Sequence, residues 1–301
     1  MLEPHAHLPL TVGRRAVART GWAATVLVAL LSGCSSSQSG TAAEDPRTAE
    51  PGTLPSAHVH GVAIDPGDGT LRLATHEGLF EVGEGGELTA VGPVIDLMGF
   101  TVAGADHYLA SGHPGLRVDL PQPVGLIETT DGGATWEPVS RQGQSDFHAL
   151  TVSDAGILGY DGTLLRSADG RTWEQLQIPD EPHTLAAAPD DSNLLATTQQ
   201  GLLRSADAGS SWSLVETAPL LQVVTWSGDG TTAVGVDPEG TVWTSTDGAG
   251  TWQQAARLGA APHAVAAAPG DGGSQRIAVV TDNGLLQSTD AGKTFAVVLE
   301  R

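Results

Sequence analysis

The histidines are the residues of this sequence best suited to chemistry near neutral pH. The chain of 301 residues contains 10 histidines, two methionines and a single cysteine. An imidazole titrates near pH 6.5 and is a common protein ligand for zinc, copper, nickel and iron. His58 and His60 are separated by one residue, and His76 follows them. The three histidines form no HExxH or CxxC motif. A metal site therefore requires a fold that brings separate segments together.

A repeated pattern indicates what that fold is. Five segments share it: TTDGGATW from Thr129, SADGRTW from Ser167, SADAGSSW from Ser205, STDGAGTW from Ser245 and STDAGKTF from Ser288. Their central aspartates, Asp131, Asp169, Asp207, Asp247 and Asp290, are 38, 38, 40 and 43 residues apart. This spacing is typical of one four-stranded propeller blade with short turns. A short carboxylate followed by small residues is typical of a tight turn, so we interpret these aspartates as structural.

The repeat predicts an all-β, six-bladed β-propeller with an aspartate turn between the third and fourth strands of a blade. The six units cover residues 58–93, 94–140, 146–178, 183–216, 220–256 and 263–299. The first unit lacks the aspartate turn. Seven blades are the alternative, if the segment before residue 58 contributes a strand.

Aligning the six units on their first strands places the histidines at equivalent positions. The residues just before the innermost strands are His60, Met98, His148, His183, Gln222 and His263. In an antiparallel blade, the start of strand one and the loop between strands two and three share a face. The turn between strands three and four lies on the opposite face. The six aligned residues are therefore expected at one mouth of the central channel, away from the aspartate turns.

Further histidines fall at the same mouth. His76 and His113 lie in loops between second and third strands, and His58 stands two residues before His60. Imidazole suits zinc or copper, and a thioether favours Cu(I). We predict a transition-metal site, copper or zinc, with the candidate ligands His58, His60, His76, Met98, His113, His148, His183 and His263. The alternative is that these side chains cap strand ends and fill the channel.

Carboxylates at this mouth offer a second chemistry. Glycoside hydrolysis needs two acids, separated by about 5 Å for retention or about 6.5–9.5 Å for inversion. The candidates are Glu77, Asp146, Asp161, Asp237, Glu239 and Asp282. Nothing in the sequence selects a pair among them, so whether the protein is an enzyme stays open. A third hypothesis is a scaffold that docks another envelope protein.

The repeated segments resemble the Asp-box, or bacterial neuraminidase repeat. The segments MGF from Met98, SGHP from Ser111, GLI from Gly125 and DFH from Asp146 are similar to those of bacterial lipoproteins described as glycosyl hydrolase-like. The resemblance covers essentially the whole chain after residue 57 and implies a propeller of the sialidase superfamily. It does not imply sialidase activity, because the Phe-Arg-Ile-Pro stretch of sialidases is absent and Tyr108 and Tyr160 are the only tyrosines.

The N-terminus resembles a bacterial lipoprotein signal. Residues 1–33 combine arginines, a short apolar run and the site Leu31-Ser32-Gly33-Cys34. The resemblance implies lipidation of Cys34, with residues 34–57 as a flexible tether and 58–301 as the propeller. We expect a monomeric envelope lipoprotein on the outer face of the cytoplasmic membrane, in contact with the membrane only through its lipid.

The charge of the chain limits its partners. Removal of residues 1–33 takes three arginines and one glutamate from 14 basic and 35 acidic residues, so the remaining net charge is −23. Such a surface repels nucleic acid and anionic headgroups. The expected partners are a metal ion, a small ligand, a glycan or an envelope protein at the propeller face.

Overall fold

The computed structural model describes residues 51–189 and 193–301. Within these residues the only helical element is a 3-10 turn, Asp271–Gly273. No helix in this described part is long and apolar enough to cross a membrane. The predicted signal segment 1–33, the lipidation residue Cys34 and the tether as far as residue 50 lie outside the described residues.

Strands of the described residues form six antiparallel sheets, and each sheet uses four consecutive strands in chain order. We name these sheets blades 1 to 6. Blades 1 and 2 contain β1 Val59–Ile64, β2 Leu71–Thr75, β3 Gly78–Val82, β4 Leu88–Val91, β5 Ile95–Gly104, β6 His107–Pro114, β7 Leu126–Thr129 and β8 Glu137–Ser140. Blades 3 and 4 contain β9 Ala149–Ser153, β10 Gly156–Tyr160, β11 Leu164–Ser167, β12 Glu174–Gln175, β13 Thr184–Ala187, β14 Leu194–Thr198, β15 Gly201–Ser205 and β16 Ser213–Leu214. Blades 5 and 6 contain β17 Val223–Trp226, β18 Ala233–Val236, β19 Thr241–Ser245, β20 Gln253–Arg257, β21 Pro262–Pro269, β22 Gln275–Thr281, β23 Gly284–Ser288 and β24 Ala296–Glu300.

The second strand of a blade is buried on both of its faces. Every residue of β2, β14 and β18 is buried. Both sides of such a strand are covered by neighbouring blades, so its sequence is a nearly continuous apolar run instead of an alternating one. Burial between blades therefore fixes the stacking of the sheets.

The ring closes between blades 1 and 6. Leu73 and Phe80 of blade 1 share a buried core with Val280 and Leu285 of blade 6. The prediction of six blades is thereby confirmed, and the seven-blade alternative is wrong. Residues 52–54, at the end of the predicted tether, add a single parallel bridge to β24 and contact blade 1 through a hydrogen bond from Gly52 N–H to the carbonyl of Gly86 at 2.9 Å.

The aspartate turns join the third and fourth strands of blades 2 to 6, as predicted. In the first of them, Asp131 Oδ1 accepts the backbone N–H of Thr135 at 2.9 Å, and Oδ2 accepts its hydroxyl at 2.7 Å. The hydroxyl of Thr129 donates to Asp131 Oδ1 at 2.7 Å and accepts the N–H of Gly133 at 2.9 Å. The same pattern recurs around Asp207, Asp247 and Asp290, and Asp169 accepts two backbone N–H bonds in the shorter copy.

Each turn is pressed against the preceding blade. Gly133 has φ +96°, and a Cβ on it would lie 2.3 Å from Cδ2 of Leu79 in blade 1. Trp173, which follows the turn of blade 3, donates its indole N–H to Ser140 Oγ of blade 2 at 2.9 Å. The turns therefore hold neighbouring blades together as well as closing their own hairpins.

Hydrogen bonds from the threonine four residues later lower the pKa of Asp131, Asp247 and Asp290 from 3.8 to about 2. A carboxylate whose pKa is depressed on folding stabilises the folded state above its unfolded pKa, and this contribution is lost as pH falls through the folded pKa. We therefore predict that protonation of the turn carboxylates lowers the free energy of unfolding as the pH falls from about 4 to about 2.

The variant Asp247→Asn tests this. Its deficit in urea midpoint relative to the parent should shrink as pH falls from 5 to 2. Thr251→Val removes the hydroxyl that donates to Asp247 Oδ2 and should give an intermediate pH dependence, because it removes the largest cause of the lowered pKa. Midpoints that decline in parallel for all three proteins would contradict the prediction.

Alanine occupies a left-handed position in three of the turns. Ala291 has φ 61°, a conformation that costs an L-residue about 1–2 kcal/mol. We predict that Ala291→Gly raises the free energy of unfolding by roughly 0.5–1 kcal/mol. The matched change Ala296→Gly, on the exposed outer strand β24, should lower it by a similar amount. Urea unfolding of both variants measures the two changes in the free energy of unfolding. Changes of the same sign would contradict the prediction.

Candidate metal centre

The six inner strands surround a central cavity of about 1120 Å³. All six residues aligned from the sequence line it: His60, Met98, His148, His183, Gln222 and His263. The alignment therefore placed one residue of each blade correctly at the channel.

Three of these residues are the extra residue of a β-bulge. Pairing of β1 with β2 passes from Val59 opposite Thr75 to Gly61 opposite Ala74, which leaves His60 without a partner in the ladder. The same shift occurs around Met98 in β5 and around His263 in β21. A bulge re-aims a side chain relative to the pleat. The bulged side chains of Met98 and His263 line the same cavity as His60.

Three imidazoles meet on blade 1. One ring nitrogen from each of His58, His60 and His76 lies within 4.8 Å of the other two. Nε2 of His60 and Nε2 of His76 are 3.2 Å apart, and their rings are nearly perpendicular. Bonds of about 2.0–2.1 Å to a tetrahedral zinc ion separate neighbouring ligands by about 3.3 Å. This set, which we call the histidine triad, can therefore hold one ion after a small approach by His58.

The surroundings of His60 and His58 favour the neutral imidazole that binds metals. Burial, followed by the charges of His76 and His58, lowers the pKa of His60 to about 4. Burial and the nearby His263 also lower the pKa of His58. A metal ion requires a deprotonated ring nitrogen, so protons compete weakly for this site at neutral pH.

The sequence analysis did not select Asp96, which is central to the site. Nδ1 of His76 donates to Asp96 Oδ1 at 2.8 Å, and Nδ1 of His113 is 3.4 Å from Asp96 Oδ2. Asp96 stands two residues before Met98, at the position that His58 and Asp146 occupy in their own blades. Comparison of this position among the blades could therefore have identified Asp96 from the sequence.

Carboxylates contact histidines at several points around this part of the mouth. Asp146 Oδ2 lies 3.2 Å from His113 Nε2 and 3.0 Å from His148 Nε2. His263 Nε2 donates to Asp282 Oδ1 at 2.8 Å, and the His263 ring is 4.9 Å from that of His58. We call this arc the histidine–aspartate belt; it runs across blades 6, 1, 2 and 3 through Asp282, His263, His58, His60, His76, Asp96, His113, Asp146 and His148.

The other predicted ligands lie outside the group whose ring nitrogens are within 4.8 Å of one another. His113 and His148 contact Asp146, and His263 contacts Asp282. His183 lines the cavity with a pKa lowered by burial, and Met98 lines it as well. One ion therefore cannot use all eight candidates.

The candidate acids have unequal surroundings. Asp237 is a turn residue: Oδ1 accepts two backbone N–H bonds and Oδ2 accepts the indole N–H of Trp243 at 3.0 Å. Asp161 accepts the hydroxyl of Ser145 at 2.6 Å. Glu77 is partly exposed and Glu239 is exposed. Asp146 and Asp282 contact histidines.

Comparisons with known proteins agree with the fold. A family model described as photosynthesis system II assembly factor YCF48 matches residues 120–260. A structure of YCF48 bound to D1 peptide is 19% identical, with 70% of this chain and 69% of that chain covered and a TM-score of 0.45. No match among curated proteins was found for this sequence.

Two enzymes have similar structures. The GH74 xyloglucanase from Xanthomonas campestris is 19% identical, with 83% of this chain covered and a TM-score of 0.53, and this chain spans 46% of its length. Virginiamycin B lyase from Staphylococcus aureus is 14% identical, with 80% and 84% of the two chains covered and a TM-score of 0.52. Identities this low establish the fold alone. The two enzyme structures therefore agree with the six-bladed β-propeller described above, and the family model matches part of that propeller.

Proposed function

We propose that this protein is an extracytoplasmic β-propeller binding module that holds a transition-metal ion, zinc or copper, at the mouth of its channel. The observation that carries the proposal is the histidine triad, in which His60 Nε2 and His76 Nε2 are 3.2 Å apart and His58 completes the set. Three imidazoles leave at least one coordination position open toward the channel. A small ligand in the cavity would bind the ion there.

The surroundings of the triad suit this role. Asp96 accepts the Nδ1–H of His76, and such a bond fixes the tautomer that presents Nε2 to a metal. The net charge of −21 attracts cations to the protein. Met98, on the same cavity wall, offers a thioether that suits copper.

Anchoring at the cell surface is part of the proposal. The resemblance of residues 1–33 and Cys34 to a lipoprotein signal supports a propeller tethered by an N-terminal lipid to the outer face of the cytoplasmic membrane. A monomeric propeller on such a tether would bind metal or ligand from the envelope without any other membrane contact.

Metal titration of the untagged chain tests the triad. We expect a tight equivalent of Zn(II) or Cu(II) by calorimetry, and a raised melting temperature, since a ligand at 100 times its Kd adds about 2.7 kcal/mol. His60→Gln should weaken this equivalent by at least about 100-fold, the upper end of what loss of an outer partner costs.

His107→Gln is the matched control, because His107 pairs with Glu128 away from the mouth. It should bind metal like the parent. The proposal would be abandoned if the untagged chain purifies without metal and added Zn(II) and Cu(II) leave its melting temperature unchanged.

A second candidate function is docking of an envelope protein at the same face. It is favoured by the match of residues 120–260 to an assembly-factor family and by the apolar surface beside His113. Leu116 is 108% exposed, and Gly115 holds it next to the exposed Val94 through an N–H bond to the Val94 carbonyl at 3.1 Å. Leu116 follows the belt residue His113 by three residues, so a protein that docks on the belt would cover this exposed apolar side chain.

Site-specific photo-crosslinking distinguishes this candidate. A crosslinking residue at position 116 should capture one envelope protein in cells of the native host, and the same residue at exposed Leu214, on outer strand β16, should not. Identical products from both positions would count against docking at the mouth.

A further inference from the structure

We infer that the end of the channel opposite the histidines binds the carboxylate of a small organic acid, with the guanidinium of Arg276 as its anchor. Arg276 stands opposite Ala268 in the ladder between β21 and β22, whereas His263 is at the other end of β21. Arg276 and His263 line the same cavity. The carboxylate site stands apart from the proposed metal site and does not require it.

Arg276 has a neutral partner where the equivalent cation of another blade has a carboxylate. In blade 2, His107 Nε2 pairs with Glu128 Oε1 at 2.7 Å, and Glu128 stands opposite the residue two positions after His107. In blade 6 the same diagonal joins Arg276 to Gln287, whose side-chain oxygen accepts Nε–H and Nη2–H of Arg276, both at 2.7 Å. Gln287 therefore holds the guanidinium without neutralising its charge.

The charge of Arg276 is not neutralised by a neighbouring acid. Among the described residues, Arg72, Arg141 and Arg166 pair with carboxylates, whereas Arg276 pairs with none. Burial alone shifts the pKa of Arg276, downward from its ordinary value. A guanidinium stays protonated in proteins, and a charge partly removed from water is stabilised by a partner of opposite charge. In a chain of net charge −21, this half-buried cation is therefore a site for an external anion.

The guanidinium keeps donors for such a ligand. Of the five N–H groups of an arginine side chain, those of Nε and one of Nη2 face Gln287, and one of Nη1 donates to the carbonyl of Gly69 in the β1–β2 turn. The remaining N–H groups of Nη1 and Nη2 are free to bind a ligand. A carboxylate matches the planar fork of a guanidinium and forms short, charge-assisted hydrogen bonds with it.

The surroundings of Arg276 favour a carboxylate with an apolar body over a phosphate. Asp65 and Asp154 line this end of the cavity, and their charges oppose a second negative charge on the ligand. Apolar surface is supplied by prolines near the ends of three inner strands, Pro66, Pro189 and Pro269. An apolar wall with a few polar anchors is typical of small-molecule sites.

Titration of the metal-free, untagged full chain with hexanoate tests the site, with hexanamide as the neutral counterpart. We expect a saturable shift of the Arg276 Nε–H signal in ¹H–¹⁵N spectra with hexanoate and none with hexanamide. Inorganic phosphate should bind more weakly than hexanoate. The absence of a saturable shift with hexanoate would overturn the site, and tighter binding of phosphate would overturn its assignment to a carboxylate.

Gln287→Glu is the most discriminating variant, because it gives Arg276 the kind of partner that His107 has in Glu128. It should fold like the parent, since the side chain keeps its size, and weaken hexanoate binding by at least about 10-fold, the cost of a lost hydrogen bond between charged groups. Arg276→Gln should weaken binding to a similar extent. An unchanged hexanoate affinity in Gln287→Glu would show that Arg276 only joins blades 6 and 1, and would overturn the site.

Arg257→Gln is the matched control, because Arg257 is exposed on the outer strand β20 and its loss removes the same charge. It should bind hexanoate like the parent, and equal weakening by Arg257→Gln and Arg276→Gln would reduce the effect to general charge and overturn the site. His60→Gln should also bind hexanoate like the parent. Loss of binding in His60→Gln, with retention in Arg276→Gln, would place the carboxylate at the histidine mouth and overturn the inference while the proposed function stands.

Discussion

Closure of the ring is the constraint on which the rest of the structure depends. A single four-stranded sheet cannot bury its two apolar faces, whereas six sheets stacked in a circle cover one another. The buried second strands and the core shared by blades 1 and 6 are the result. Closure also makes every inner strand run in the same direction around one channel. Residues at the start of six distant segments are thereby brought to one mouth.

The two ends of the blades use carboxylates differently. In the aspartate turns, a carboxylate such as Asp247 accepts bonds from its own hairpin, which lowers its pKa to about 2 and keeps it ionised. At the mouth, Asp96 and Asp146 face imidazoles from neighbouring strands and blades. The first arrangement stabilises the blades, and the second sets which nitrogen each histidine presents to the channel.

Much of the site could be predicted because blade geometry is regular, and the failures occurred where local geometry departs from it. The alignment placed His60, His148 and His263 on the cavity, since equivalent positions in repeated blades share a location. The alignment could not distinguish Asp237, which accepts hydrogen bonds within its own turn, from Asp146, which contacts histidines. It also missed Asp96, because a carboxylate gains significance there only through contacts with His76 and His113.

The sequence by itself determined the class of fold and the face on which the histidines lie, and it favoured six blades over seven. These follow from a period of about forty residues and from antiparallel strand order, both of which are local properties of the chain. Only the tertiary structure decided which histidines converge. Convergence depends on β-bulges that re-aim His60 and His263 and on contacts between blades such as that of His76 with Asp96. The same packing buries His60, which lowers its pKa. Such contacts arise from the packing of one sheet on the next, which no repeat within a single blade encodes.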